Sequence, residues 1–141
     1  MRIKTIVISE VEYTAHRLAR RFMDWDEPIP DFQSRFPNVL ESCLSMPFQT
    51  FHRKNLYRGL IEKAAILFYL MIKNHPFKNG NKRIAVMTLL LFLHKNKKWI
   101  RVSNEGLYQF ARQIAESNPK LKDAMVLTIQ GFLGAYLIDL P

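Results

Sequence analysis

The sequence is poor in cysteine, glycine and proline. Its 141 residues include one cysteine, Cys43, so an internal disulfide and a cysteine-rich metal site are both excluded. We expect this thiol to be a small buried side chain in a reducing compartment. With five glycines, seven prolines and 48% hydrophobic residues, the chain is neither collagen-like nor of low complexity. The composition predicts an ordinary globular protein.

Long hydrophobic runs are also absent. The two most apolar stretches, residues 64–72 and 84–93, are shorter than the roughly 20 residues that span a membrane. The opening MRIKTIVISEVEY meets Glu10 and Glu12 too soon for a secretory signal. We therefore expect no membrane contact, a cytoplasmic location and a single domain over residues 1–141.

Acidic residues are scarce: 12 Asp and Glu stand against 21 Lys and Arg, which gives a formal charge of +9. Such a charge suits nucleic acid, phosphates or an acidic protein as a partner. The cations are scattered, and the KNKK cluster at 95–98 fits a solvated helix end. We therefore do not expect nucleic acid to be the partner, although a nucleic-acid-binding module is the alternative that the charge motivates.

Helical periodicity dominates the chain and predicts a mostly α fold. Ser9 and Glu12 have the spacing of a capping box, and apolar residues at helical intervals follow, which predicts a helix over about 10–23. The β-branched residues 2–8 before it predict a short strand. The segment DWDEPIPDFQ is expected to be a loop, and PNVLESCLSMP a short helix with Asn38 as a candidate N-cap.

Two strongly apolar segments predict central helices, over residues 56–74 and 81–95. Apolar residues surround most of the first one, which is typical of a helix packed on several sides. A further helix is predicted from about Ser103, and Asn118 followed by Pro119 predicts the N-terminus of a last helix.

The loop HPFKNGNKR, residues 75–83, lies between the two central helices and carries the candidate chemistry. Gly80 permits the turn into the second helix, whose first amides lack carbonyl partners and lie at the positive end of the helix dipole. The side-chain amide of Asn81 and the charges of Lys82 and Arg83 are expected to help bind an anion, and phosphate is the natural candidate.

Two further residues complete this loop. Histidine titrates near neutral pH, so His75 could take a proton from a hydroxyl that attacks the bound phosphorus. Phe77 is an apolar ring between polar neighbours, and we expect it to anchor the loop.

The nonapeptide resembles the active-site signature of the Fic/Doc (Fido) superfamily, whose pattern is close to H-P-F-x-D/E-G-N-G/K-R before an apolar helix. The segments NVLESCLSMPFQTF, EKAAILFYLMIKNHPF and LLLFLHKNKKW resemble their counterparts in Doc-type, death-on-curing members, so the resemblance covers roughly residues 35–115. It implies a helical bundle in which two central apolar helices flank the active-site loop. It also implies a flap in QTFHRKNLYRG that aligns a target peptide by strand-like pairing, and an ordinary basic loop is the alternative for this segment.

The resemblance implies a role for each residue of the loop. His75 would be the base that activates a target hydroxyl, Gly80 and Asn81 the anion hole, and Arg83 the phosphate clamp. The residues expected to be catalytic are His75, Lys82 and Arg83, and those expected to bind ATP are Lys78, Gly80, Asn81, Lys82 and Arg83.

Lys82 stands where members that transfer AMP usually carry glycine and Doc-like members carry lysine. The resemblance therefore implies that ATP binds reversed and that its γ-phosphoryl group passes to a hydroxyl of a target protein, with a translation GTPase as the family precedent. Fic-type AMP transfer is the alternative.

Asn79 departs from the family, which binds Mg²⁺ through an acidic residue at this position. An amide offers the cation one carbonyl oxygen and no charge. This departure leaves three alternatives open. The nucleotide could hold Mg²⁺ mainly by itself next to Asn79, turnover could be slow, or the protein could be a catalytically weakened regulatory or binding domain.

The family also suggests how such a protein is controlled. The self-inhibitory S/T-x-x-x-E-G/N segment of some members is absent, since SNEG at 103–106 has the wrong spacing. We therefore expect inhibition by another chain, an antitoxin with an acidic segment. His16, His52 and His94 lack ligand-spaced partners, so we expect structural or solvated roles for them.

Overall fold

The computed structural model describes residues 2–23 and 25–141, and the chain is mostly helical, as predicted. Asp24, the first residue of the predicted loop DWDEPIPDFQ, lies outside the described residues. Helix α1 covers residues 8–22 and contains a π-helical segment, Val11–His16. The other α-helices are α2 Pro37–Ser45, α3 Leu60–Lys73, α4 Asn81–Lys95, α5 Asn104–Glu116 and α6 Lys122–Tyr136. Short 3-10 turns lie at Phe32–Ser34, Met46–Phe48 and Pro119–Leu121.

Helices α3 and α4 form the centre of the core. Every residue of α3 from Lys63 to Ile72 is buried, which agrees with the prediction of a helix packed on several sides. Helix α3 packs against α4 and α6, while α4 also packs against α5 and the π-helical part of α1. Burial of each large apolar side chain stabilises the fold by about 1.5–3 kcal/mol, so this packing fixes the two helix ends that hold the 75–80 loop. Among the described helices, none is both long and apolar enough to cross a membrane.

Two antiparallel strand pairs flank the helices. Strands β1 Thr50–Phe51 and β2 Lys54–Asn55 form a hairpin within the predicted flap segment. Strands β3 Lys98–Ile100 and β4 Leu137–Asp139 pair across the C-terminal part of the chain, and the sequence did not predict them.

The predicted N-terminal strand is wrong. Residues 2–7 belong to neither strand pair of the described chain. The backbone of Lys4 bonds instead to the side chain of Asn96: its N–H donates to Oδ1 at 2.7 Å, and its carbonyl accepts from Nδ2 at 3.0 Å. The Asn96 side chain pairs with the backbone of one residue in this segment and cannot continue as a ladder, so these β-branched residues form no sheet.

The predicted helix start near Ser103 and the predicted cap Asn118 are both confirmed. The side chain of Ser103 accepts a hydrogen bond from a backbone N–H at the start of α5, and that of Asn118 does the same in the turn before α6, each at 3.0 Å. These bonds satisfy amides that would otherwise lack a partner at a helix N-terminus.

Two other predicted caps are wrong. Asn38 lies inside α2, which begins at Pro37 because proline suits the first helical position. The Ser9 capping box is replaced by Glu10, whose Oε1 accepts a hydrogen bond from Val7 N at 3.0 Å, so α1 begins two residues earlier than predicted.

The β1–β2 hairpin is exposed, and a buried lysine holds its base. His52 and Arg53 at its turn have φ angles of 51° and 64°. Lys63, which is 3% exposed, donates hydrogen bonds to the carbonyl oxygen of Pro47 at 3.0 Å and to that of Tyr57. These carbonyl groups lie on opposite sides of the hairpin in sequence, so one ammonium group joins its two ends.

Candidate active site

His75 is exposed just after α3, on the loop that leads into α4. Its φ of 51° lies in the left-handed region, which few residues other than glycine adopt. Two residues later Phe77 is 1% exposed, and its ring lies 5.8 Å from the rings of His16 and Phe32. Phe77 thus anchors the loop, as predicted, and this anchor allows the strained backbone at His75 to persist.

Asn81 holds the loop with both polar atoms of its side chain. Oδ1 accepts a hydrogen bond from Phe77 N at 2.9 Å, and Nδ2 donates to the Phe77 carbonyl oxygen at 2.8 Å. The geometry therefore differs from the expectation that this side chain donates to an anion. Nδ2 also lies 3.4 Å from Nδ1 of His75, a contact that favours the tautomer in which Nε2 carries the proton.

Gly80 turns the chain into α4 with a φ of 76°. A Cβ at this position would lie 2.8 Å from Cγ1 of Ile29, so both the conformation and the close packing require glycine. The first hydrogen bond of α4 runs from Ile84 N to the Gly80 carbonyl oxygen at 2.9 Å. The backbone N–H groups of residues 81–83 precede it and have no carbonyl partner in the helix, which makes them a site for an anion.

A single cleft of about 230 Å³ brings the predicted site residues together, because each of them from His75 to Arg83 lines it. Arg83 is 2% exposed, and its Nη1 donates to the carbonyl oxygen of Met23 at 3.1 Å. No carboxylate in residues 2–23 or 25–141 forms an ion pair with it. The cleft thus carries a buried positive charge in addition to Lys82 and the helix amides.

The sequence did not reveal the carboxylate in the wall of this cleft. Asp26 follows α1, and its Oδ2 accepts a hydrogen bond from the Tyr108 hydroxyl at 2.7 Å, while its Oδ1 accepts from Glu27 N at 2.9 Å. The Tyr108 bond, then the Glu27 bond, lower the pKa of Asp26, so this carboxyl is charged at neutral pH. Local sequence gave no signal for it, because its principal partner lies 82 residues away.

Asn79, the predicted metal contact, has two neighbours. Its Oδ1 accepts a hydrogen bond from Gly80 N at 2.9 Å, and its Nδ2 donates to Oε2 of Glu27 at 2.7 Å. Across the described ranges, no group of three or more His, Cys, Asp or Glu side chains could hold a metal ion alone. Among the described residues that line the cleft, Asp26 is the one carboxylate, and the Asn79 oxygen already accepts the Gly80 N–H, so Mg²⁺ would fit here only together with nucleotide phosphates that supply further ligands.

A second, larger cavity of about 770 Å³ shares Asp26, Lys82 and Tyr108 with the cleft. The rings of Trp25 and Tyr108 meet edge to face at its wall, with centroids 4.6 Å apart and an interplanar angle of 80°. Gln109 from α5 adds an amide to the lining. The charged side chains of Glu105, Arg112 and Glu116 also line it, so this cavity is largely polar, with the two aromatic rings at one wall.

The remaining histidines have the structural or solvated roles that we expected. His16 is 3% exposed and its Nε2 lies 2.9 Å from the Pro30 carbonyl oxygen. His52 lies at the exposed hairpin turn, and His94 packs edge-on against Trp99.

Fold and site together define a helical protein in which the loop between two central helices places an exposed histidine beside the first amides of the second helix and two cationic side chains. The family model described as the Fic/DOC family matches residues 7–93. The chain belongs to the Fic/DOC family.

One curated protein gives the comparison in more detail. Toxin Doc of Mycolicibacterium smegmatis (strain ATCC 700084 / mc(2)155) is 34% identical over 58 residues, which cover 41% of this chain and 45% of that protein. The chain thus spans less than half the length of this relative. No solved structure matches the chain.

Proposed function

We propose that this protein is a Doc-like toxin that transfers the γ-phosphoryl group of ATP to a hydroxyl side chain of a target protein, with His75 as general base. The observation that carries the proposal is the cleft in which exposed His75, the free amides of residues 81–83 and the charges of Lys82 and Arg83 meet. Phosphoryl transfer depends mainly on positioning and charge stabilisation, which are the contributions this cleft offers.

The proposed reaction is a direct displacement at phosphorus. The target hydroxyl gives its proton to the His75 ring, its oxygen forms a bond to the γ-phosphorus, and the bond between that phosphorus and the β–γ bridging oxygen breaks. ADP leaves with the electron pair. The helix amides, Lys82 and Arg83 would stabilise the oxygens that gain charge. Mg²⁺ bound with the nucleotide would neutralise part of the phosphate charge next to Asn79.

The tautomer of His75 bears on the proton transfer. The Asn81 amide favours the form with the proton on Nε2, but 3.4 Å is long for a hydrogen bond and opposes the other tautomer only weakly. In that other form Nε2 is free to accept the hydroxyl proton. Asn81 therefore acts on catalysis mainly through the loop that it holds.

Lys82 and the neighbouring cavity support the choice of phosphoryl donor. Lys82 lines both the cleft and the 770 Å³ cavity, so this residue lies where the two meet. With the terminal phosphate of ATP in the cleft, the cavity walled by Trp25 and Tyr108 offers room for the rest of the nucleotide. Lys78, which also lines the cleft, would add charge beside the phosphates.

The biological setting is proposed from the family and the relative. The matched relative is a Doc toxin, and an antitoxin with an acidic segment is the partner that the charge of +9 favours. The target would be a cytoplasmic protein with an accessible hydroxyl, and a translation GTPase is the first one to test.

A dual-label assay tests the proposal. The purified protein is incubated with a bacterial lysate and ATP labelled in either the γ- or the α-phosphate. We expect a protein band labelled only from the γ-phosphate, and no band with His75→Ala. Label retained from the α-phosphate would establish AMP transfer instead. Nucleotide binding without transfer of either label would establish a catalytically weakened binding domain.

A further inference from the structure

The backbone at Lys4 is extended, although residues 2–7 belong to neither strand pair of the described chain. The N–H of Lys4 donates to Oδ1 of Asn96 at 2.7 Å, and its carbonyl oxygen accepts from Nδ2 of the same side chain at 3.0 Å. A residue directs its N–H and C=O to one side in extended backbone, and its two neighbours then direct theirs to the opposite side. Ile3 and Thr5 therefore present their backbone groups to the other edge of the segment.

This other edge is a strand edge without a partner strand. The N–H and the carbonyl oxygen of Ile3 and the N–H of Thr5 form no hydrogen bond with any residue that the structure describes. The carbonyl oxygen of Thr5 accepts one bond, from Nζ of Lys95 at 2.8 Å, and retains a second lone pair. Unpaired backbone groups in an extended row are a template for pairing with another strand.

A groove of about 760 Å³ lies along residues 2–5. Its opposite wall is the end of α2 together with the 3-10 turn that follows. Ile3, Leu44 and Phe48 give the groove an apolar floor. A free strand edge beside an apolar groove suits an extended peptide, because the edge binds the peptide backbone and the groove receives alternate side chains.

The charges around the groove favour an acidic partner. Arg2, Lys4 and Lys95 line it, and none of its described lining residues is acidic. Arg2 and Lys4 form no ion pair within residues 2–23 and 25–141, whereas Lys95 pairs with Glu10 at 2.7 Å. The same cations oppose a second copy of this chain, because like charges would face each other across the paired strands. A nucleic acid would satisfy the charges but leave the strand edge and the apolar floor without a partner.

We propose that this groove binds an extended, acidic segment of a partner protein, which pairs as a strand with the free edge of Ile3 and Thr5. The groove lies far from the catalytic cleft, because α4 begins at the cleft with Asn81 and ends beside the groove with Lys95. Its 15 residues span roughly 20 Å. The partner therefore binds without entering the cleft, and the inference does not rest on the proposed function.

Titration of the ¹⁵N-labelled protein with the acetylated hexapeptide EVEVEV tests the inference by NMR spectroscopy. We expect the amide resonances of Ile3 and Thr5 to shift and the hydrogen exchange of these two amides to slow. The hexapeptide KVKVKV, of opposite charge, should not bind. An EVEVEV peptide with all backbone amides N-methylated retains its charge but donates no hydrogen bond to the edge, so it should not bind either.

Lys4→Glu tests the charge with little disturbance of the fold, because Lys4 contacts Asn96 through its backbone alone. We expect this substitution to weaken EVEVEV binding by about tenfold. Lys120→Glu makes the same change of charge at an exposed position before α6 and should leave the affinity unchanged. Equal effects of the two substitutions would show general charge attraction and would overturn the inference.

Other results would also overturn the inference. Absence of shifts at Ile3 and Thr5 would show that the edge accepts no acidic strand, and equal binding of the N-methylated peptide would show that no strand pairing occurs. A dimer in analytical ultracentrifugation that EVEVEV dissociates would assign the edge to a second copy of this chain. Oligouridylate that shifts the same two amides more strongly than the peptide would assign the surface to nucleic acid. These measurements contain no ATP, so their failure would leave the proposed function standing.

Discussion

The guanidinium of Arg83 donates a hydrogen bond to the backbone carbonyl oxygen of Met23 at 3.1 Å, which joins the first turn of α4 to the end of α1. The contact spans 60 residues of sequence and positions the loop after α1 against the cleft. Arg83 therefore supports this wall, and in the proposed function it has a second task, to supply buried charge for a phosphate.

Arg83→Met should separate these tasks, because methionine retains part of the packing and removes the charge. We expect the free energy of unfolding to fall by about 1–3 kcal/mol, since the Met23 carbonyl loses its charged donor. ATP affinity should fall by more than tenfold at a temperature where the variant is folded. Arg101→Met, at an exposed position, is the control for charge in general. Unchanged ATP affinity in Arg83→Met would contradict its role in the cleft.

Gly80→Ala tests the turn that opens the anion site. Alanine at a φ of 76° costs about 1–2 kcal/mol, and its Cβ would lie 2.8 Å from Ile29. We expect a lower free energy of unfolding in urea and weaker ATP binding. Gly131→Ala is the matched control, because Gly131 lies inside α6 with no atom within 4 Å of an added Cβ. This second change should stabilise the protein by about 0.5–1 kcal/mol. Equal effects of the two substitutions would contradict the importance of the turn.

Lys63→Met tests the anchor of the β1–β2 hairpin. Loss of the bonds to Pro47 and Tyr57 should speed amide hydrogen exchange in residues 49–56, measured by mass spectrometry. Burial lowers the pKa of Lys63, so removal of its desolvated charge offsets part of the lost bonding, and overall stability should change less than local exchange. Lys73→Met is the control, since Lys73 makes similar bonds to the carbonyls of Ala115 and Ser117. Lys73→Met should speed amide hydrogen exchange at the end of α5 and leave exchange in the hairpin unchanged. If neither substitution changes amide exchange in the hairpin, Lys63 does not anchor it.

His16 makes stability depend on pH. Burial lowers the pKa of His16 below the ordinary 6.5, and the charge of Arg20 lowers it further. The hydrogen bond to Pro30 and the charges of Asp31 and Glu12 raise this pKa and offset only part of the decrease. The unfolded chain therefore binds a proton at higher pH than the folded chain, and stability should decrease as pH falls below about 6.5 until the folded protein also binds that proton. Urea unfolding at a series of pH values should show a shallower decrease for His16→Gln. His94→Gln, at an exposed position, should retain the slope of the unaltered protein, and equal slopes in all three would exclude His16 as the cause.

The helices and the loop residues of the site were predictable because their signals are local. Apolar periodicity shows where α3 and α4 lie, and His75, Gly80 and Arg83 fall within nine consecutive residues. The strand predicted over residues 2–8 failed for a physical reason. Strand propensity needs a partner strand, and the backbone of Lys4 found the Asn96 side chain instead.

Sequence order therefore decided which groups the cleft contains: a histidine, a glycine turn, helix amides and cations, all placed by backbone geometry over a few residues. Packing of distant segments decided what faces them. The Asp26–Tyr108 and Glu27–Asn79 contacts join residues 82 and 52 positions apart. Side-chain hydrogen bonds of this kind depend on which segments of the backbone the core brings together. Local sequence patterns do not show which distant segments meet, so these contacts could not be predicted.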